Sequence, residues 1–160
     1  MRIDVVEADF SHPPHQQAIP QLLDSYARDP MGGGAPLATS VTEHLVAALA
    51  ARPHAFAVLA YVDDHPAGLV IGFEGFSTFA CRPLLNLHDV VVLPEFRGMG
   101  LCQRMLAQVE QIARARGCCK LTLEVLSNNT RAKAAYRTFG FADYQLDPDA
   151  GSARFWQKAL

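Results

Sequence analysis

Long hydrophobic runs are missing from this chain of 160 residues. The apolar stretch Ala55–Val62 is far too short to cross a bilayer, and Met1-Arg2-Ile3-Asp4 is no charged region leading into an apolar one, so no membrane association and a cytoplasmic location are expected. Charge of one sign is scarce as well. The formal net charge is −2 and the 14 basic residues are scattered, which gives no footprint for nucleic acid or an anionic surface. Small molecules or proteins are the expected partners. Cysteine is limited to four residues, of which Cys118 and Cys119 are adjacent while Cys81 and Cys102 fit no disulfide framework, so reduced thiols are expected. His12 and His15 have no cysteine or carboxylate at ligand spacing, which argues against a zinc site. No metal is expected.

Half of the residues are apolar, enough for one core in one domain spanning 1–160. Ile3–Val6 reads as a strand. Gln16–Arg28 carries Ile19, Leu22, Leu23 and Tyr26 at helical spacing, and the glycines and prolines of Asp29–Pro36 then predict an irregular, mobile loop. Ser40 or Thr42 can cap a second helix to about Ala51. Phe56–Val62 and Ala67–Phe73 predict an antiparallel hairpin around Asp63-Asp64-His65-Pro66, followed by a strand at Leu85–Leu93. Leu101, Met105, Leu106, Val109 and Ile112 mark a long helix that Gly117 ends. Lys120–Leu126 predicts the next strand. Asn128-Asn129-Thr130 can cap a helix with Ala132, Ala135, Tyr136 and Phe139 on one face, stopped by Gly140. Phe141–Leu146 and Ala153–Ala159 read as closing strands. The order predicts a mixed α/β domain whose crossover from Leu85–Leu93 to Lys120–Leu126 is parallel.

The segment Val90-Val91-Val92-Leu93-Pro94-Glu95-Phe96-Arg97-Gly98-Met99-Gly100-Leu101-Cys102 is the most informative. A buried strand runs through a glycine-bearing turn into a helix whose first amides lack intrahelical partners and carry the positive end of the dipole. That makes an anion site suited to a phosphate-bearing cofactor. Gly-x-Gly also opens dinucleotide folds, but there the glycines follow the strand at once and a third glycine comes later. Here Pro94-Glu95-Phe96-Arg97 intervenes and Gln103 stands in the third position. A phosphate loop of the form Gly-x-x-x-x-Gly-Lys-Ser/Thr is absent too.

Together with Asn129-x-x-Ala132-x-x-x-Tyr136-x-x-x-Gly140-Phe141, this block resembles the GNAT N-acetyltransferase family. The resemblance is close over Leu85–Phe141, and the element order extends it to nearly the whole chain. It implies a mixed, mostly antiparallel central sheet with a parallel strand pair at the cofactor site, flanked by about four helices. It also implies transfer of acetyl from acetyl-CoA to a primary amine of a small molecule, directly in a ternary complex. A catalytically idle acyl-CoA-binding sensor or interaction module is the alternative, and the resemblance admits a homodimer through the C-terminal strands or the sheet edge.

Roles follow from the resemblance. Main-chain groups of Val90, Val91 and Val92 would pair with the pantetheine arm, and amides of Gly98, Met99, Gly100, Leu101, Cys102 and Gln103 would hold the pyrophosphate. The valines also read as ordinary buried strand. Arg97 is either a phosphate contact or an exposed turn arginine. Cys102 departs from the glycine or alanine usual at its position. Asn129 would touch the cofactor near its thiol end, or cap its helix. Tyr136 would protonate the departing thiolate, suited by a phenol pKa of about 10, or pack on the apolar helix face. For the general base, His88 falls by alternation on the face of Val90, with Asp89 opposite and Glu74 as competitor. Asp29 and Glu74, beside Phe76 and Phe79, are the acidic and aromatic groups expected around a cationic acceptor.

Overall fold

Apolar runs at Ala55–Val62 and 67–72, buried on both faces, build the centre of the sheet in the computed structural model, which describes residues 1–160. The chain divides into two units, Met1–Leu123 and Glu124–Leu160.

In the first unit, β1 (Ile3–Glu7), β2 (Ala55–Val62), β3 (His65–Ser77), β4 (Arg82–Val92) and β5 (Leu121–Leu123) form one sheet in sequence order. The first three neighbouring pairs are antiparallel and β4 with β5 is parallel, as the crossover required. Asp63 and Asp64 alone make the β2–β3 turn, both with left-handed φ (45° and 65°), while His65 and Pro66 already belong to β3. A two-residue turn of that hand matches the strand twist.

The helices are α1 (Pro13–Arg28), α2 (Thr39–Ala50) and α3 (Leu101–Ala115) in this unit, and α4 (Thr130–Phe139) in the second. One sheet face buries Ala57, Leu59, Leu69, Ile71 and Val91 against Ile19 and Leu22 of α1 and Leu49 of α2. On the other face α3 packs with Met105 against Gly68, where an added Cβ would lie 2.9 Å from the Met105 methyl. Ser40 and Thr42 do not cap α2. The helix begins earlier, at Thr39, because the Leu37 N–H donates to the Asp24 carboxylate at 2.8 Å and holds the entering chain extended through Ala38.

Two expected features differ further. Asp29–Pro36 contains a 3-10 turn at Pro30–Gly32, and its amides are bonded rather than loose: Gly32 and Gly34 donate to the Asp29 carbonyl (2.8 and 3.1 Å) and Ala35 to that of Ala27 (3.1 Å). A Cβ on Gly32 would fall 1.9 Å from the Tyr26 oxygen, so glycine permits this close turn rather than mobility.

In the second unit, Phe141–Leu146 and Ala153–Ala159 form no strands, and Tyr144, Leu146, Phe155 and Trp156 are exposed. Alternation specifies the faces of a strand but not a ladder partner, and neither segment has one. No helix is long and apolar enough to cross a membrane.

Candidate active site

The register of β4 against β3 breaks at one residue. Ile71 faces Asp89 and Gly72 faces Leu87, so His88 is the extra residue of a bulge. A bulge switches the faces of everything beyond it. Leu87, opposite Gly72, therefore lies on the α3 face, whereas Val91, opposite Leu69, packs with the α1–α2 cluster. The expected placement of His88 with Val90, and of Asp89 opposite, is thereby corrected. The His88 ring meets Phe73 edge-on at 5.8 Å, and Asp89 acts on the phenol of Tyr26 in α1. His88 and Asp89 share one face, and Val90 points to the other.

The bulge also ends the β4–β5 ladder, which covers only Leu85–Leu87. An Asn86-to-Thr122 side-chain bond of 3.0 Å secures that last paired stretch. Beyond it the β5 side of β4 is a free edge. The Leu93 amide bonds the Ala67 carbonyl of β3 at 2.9 Å, and antiparallel alternation then turns the main chain of Val91 to β3 as well. Val90 and Val92 are left facing the free edge. Of the three valines expected to offer their backbone to a ligand, Val90 presents both its N–H and its carbonyl to the edge and Val92 only its N–H, because the Val92 carbonyl accepts from the Arg97 side chain.

The edge leads into the turn. Pro94–Phe96 forms a 3-10 turn, and Phe96 and Met99 pack on a small cluster of Val62, Ala67 and Leu101. The apolar side chains thus hold the loop from within while its backbone stays outside. Gly98 and Gly100 have φ of 82° and 75°, a region costly for other residues, and a Cβ on either would meet nothing within 4 Å. Gly100 is the N-cap of α3, and no side chain caps that helix. The Leu101 and Cys102 amides precede the first residue that can bond back within the helix, Arg104, which donates to the Gly100 carbonyl at 3.2 Å. An uncapped helix start with open space over left-handed glycines fits a diphosphate. Cys102 is compatible with it, because burial pushes its thiol up to about 11 and keeps it uncharged.

Arg97 does not extend toward those amides. Its Nε donates to the Val92 carbonyl at 3.2 Å and its Nη2 to the Asp29 carboxylate at 3.3 Å. Two residues expected to contact different ligands, Arg97 and Asp29, are paired with each other. Glu74 is separated from His88. It neighbours Phe73 and so faces the opposite side of β3, where its carboxylate lies 3.2 Å from Arg116 at the end of α3 and 4.0 Å from His54. Phe76 and Phe79 lie on the β3–β4 hairpin and are exposed.

Asp89 and Tyr26 were not among the expected site residues. Asp89 is half-buried; burial raises its carboxyl above the ordinary value while His88 opposes the shift. Burial, Asp89 and Asp29 all raise the Tyr26 phenol. The signal was the pair of adjacent polar residues, His88-Asp89, immediately before the apolar run Val90–Leu93.

In the second unit, the Asn129 side chain accepts from the Ala132 amide at 3.2 Å, which is the capping role. Tyr136 is buried on α4 with its ring edge-on to Phe141 at 5.9 Å. Gly140 closes the helix with φ of 111°.

A model of the family described as "Acetyltransferase (GNAT) family" matches residues 19–141. A thialysine N-epsilon-acetyltransferase of Caenorhabditis elegans is 30% identical over 85 residues, 53% of this chain and 52% of that protein. A streptothricin acetyltransferase of Streptomyces lavendulae is 38% identical over 80 residues, 50% of this chain and 42% of the relative. The chain thus spans about half the length of the curated relatives it matches. The solved structure of AAC(6')-Iy in complex with the bisubstrate analogue CoA-S-monomethyl-acetylneamine aligns over 100% of both chains with a TM-score of 0.76 and 18% identity, a likeness of fold.

Proposed function

Because this chain belongs to the GNAT acetyltransferase family, we propose that residues 1–160 work as one N-acetyltransferase domain. It moves the acetyl group of acetyl-CoA to a primary amine of a small molecule, directly in a ternary complex. The observation that carries this reading is the free edge of β4 at Val90 and Val92 running into the uncapped, left-handed glycine turn at α3. An extended polar arm on the edge and a diphosphate on the turn suit that continuous backbone surface. The relatives' names support a small amine as acceptor.

Acetyl-CoA supplies a thioester, and the chain supplies the rest. Asp89 holds the incoming ammonium, and the neighbouring His88 imidazole takes its proton, leaving the nitrogen lone pair free to attack the thioester carbonyl. The Val90 N–H donates to the carbonyl oxygen as negative charge develops there. As the carbon–sulfur bond breaks with its electrons going to sulfur, Tyr136 gives its phenolic proton to the thiolate, and the nitrogen releases its second proton to solvent, from which the phenolate is reprotonated. Its place in the motif Asn129-x-x-Ala132-x-x-x-Tyr136 supports that role. Glu74, paired with Arg116, is left out of the chemistry.

The test is acetyl-CoA-dependent thiol release across a panel of small primary amines. Release with at least one cationic amine is expected. Tight CoA binding without release on any amine would overturn the transfer reading in favour of an acyl-CoA-binding module.

A further inference from the structure

The Arg97 guanidinium joins three stretches of chain. Its Nε holds the carbonyl at the end of β4 (Val92, 3.2 Å), its Nη2 holds the loop after α1 (Asp29, 3.3 Å), and its own backbone enters the glycine turn. Both side chains of the ion pair are about two-thirds shielded, at 35% and 31% exposed. Asp29 is itself the hub of its loop. Its carboxylate accepts from the Met31 amide at 2.9 Å, and its carbonyl accepts from Gly32 and Gly34. Tyr26 follows one turn back along α1 and feels the charge of both Asp29 and Asp89. A continuous run of contacts and charge therefore connects the glycine turn, through Arg97, Asp29 and Tyr26, to the carboxylate at the bulge.

We propose that the Asp29–Arg97 pair is a clamp that sets the glycine turn against the loop after α1, making Asp29 a positioning residue for the acyl donor. Arg97 acts through Val92 and Asp29, not by touching phosphate. A partly exposed ion pair contributes little to stability. This one acts by geometry: with Arg97 released, the turn preceding Gly98 loses this tie to the loop after α1, and the amides that meet the diphosphate lose their alignment. The inference rests on the acetyl-CoA reading for its binding readout but not for its structural one.

Two measurements test it on the full chain. The first is calorimetric affinity for CoA in wild type, Asp29→Asn, Arg97→Met and the double variant. Each single variant is expected to weaken binding about fivefold, roughly 1 kcal/mol. The double is expected to be no worse than either, since both break one device. Arg97→Lys, which keeps the charge but not the two-pronged reach, should recover only part of the loss. The second is amide exchange at Met31, Gly32, Gly34 and Ala35 without ligand, which should quicken in Arg97→Met while the sheet amides stay protected. If Asp29→Asn binds CoA as well as or better than wild type while Arg97→Met binds it worse, the clamp is wrong and Arg97 belongs to the diphosphate. Unchanged exchange at the four amides overturns it as well. Absence of CoA binding in wild type would sink the acetyl-CoA reading instead, with the exchange result still deciding the clamp.

Discussion

Before the bulge, Leu85–Leu87 of β4 has β3 on one side and β5 on the other; after it, His88–Val92 has β3 alone. The first half is closed on both edges and its Leu85 and Leu87 are buried against the α3 side. The second half keeps one ladder and turns its other edge outward. One extra residue separates a stretch that only holds the sheet together from a stretch that can hold a ligand. The same strand therefore tolerates opposite kinds of damage in its two halves, and alternate residues of the second half differ from each other as well.

The sharpest way to break the contrast is proline, which removes an N–H wherever it is placed. Val90 points its N–H to the free edge, where proline is tolerated in strands, so Val90→Pro should keep the far-ultraviolet dichroism of wild type. Its thiol release should fall by about 10²–10³, the usual effect of deleting one donor to a developing oxyanion. Val91→Pro removes a ladder bond to β3 and should fail to fold. Should both variants fold equally well, the assignment of alternate amides to the two edges is wrong.

Next in size is a comparison across the bulge itself. Leu87 is 2% exposed, so Leu87→Ala should cost about 2–5 kcal/mol of stability and leave the amine KM of the folded fraction alone. Asp89→Asn should do the reverse. It removes the charged acceptor proposed for the ammonium, which should raise the amine KM by about 10–100-fold, the scale of a charge-assisted hydrogen bond. The sign of its effect on stability follows from the raised carboxyl. The fold binds that proton more tightly than the unfolded chain does. The group's contribution is therefore fully present below the unfolded value of about 3.9 and is lost as pH rises through the folded value. Asp89→Asn should accordingly melt higher than wild type at neutral pH, with the gap closing in acid. A gap that widens in acid would mean that the carboxylate is stabilised in place.

The two halves of β4 were not equally legible. Strands, the crossover and helix α3 could be read because short apolar runs bounded by turn residues mark strands and a 3.6-residue period marks the helix, and because Asn129 and Gly140 bracket α4 with chemistry that works locally. A bulge has no such period. Leu85, Leu87 and Val91 have the same parity in sequence, yet the register assigns Leu87 and Val91 to opposite faces, so strict alternation put His88 with Val90 and set Asp89 aside. The loop at Asp29–Pro36 was misread for a related reason. Glycine and proline report which backbone angles a turn needs, and say nothing about whether hydrogen bonds then hold it. Arg97 and Asp29 are 68 residues apart, and no local pattern could pair them. The C-terminal segments failed in the other direction: Ala142, Tyr144 and Leu146 alternate as in a strand, but pairing is a property of two segments, and a pattern in one cannot supply its partner.

Cys102 gives the smallest expected effect and the finest test of the second half's electrostatics. A thiol in the first turn of a helix ordinarily ionises more readily, because the dipole favours the thiolate. Burial outweighs that here and holds the group up at about 11, so at neutral and mildly alkaline pH the turn carries an uncharged sulfur at the proposed diphosphate site. Cys102→Ala should leave CoA affinity within about twofold of wild type, a few tenths of a kcal/mol, and the ratio of the two affinities should stay flat as pH rises toward 10. The exposed Cys81 should be alkylated well before Cys102 under the same conditions. If wild type alone lost CoA affinity between neutral pH and 9, the sulfur would be an anion facing the phosphates, and the left-handed glycine turn would have to admit its ligand against a charge as well as through a gap.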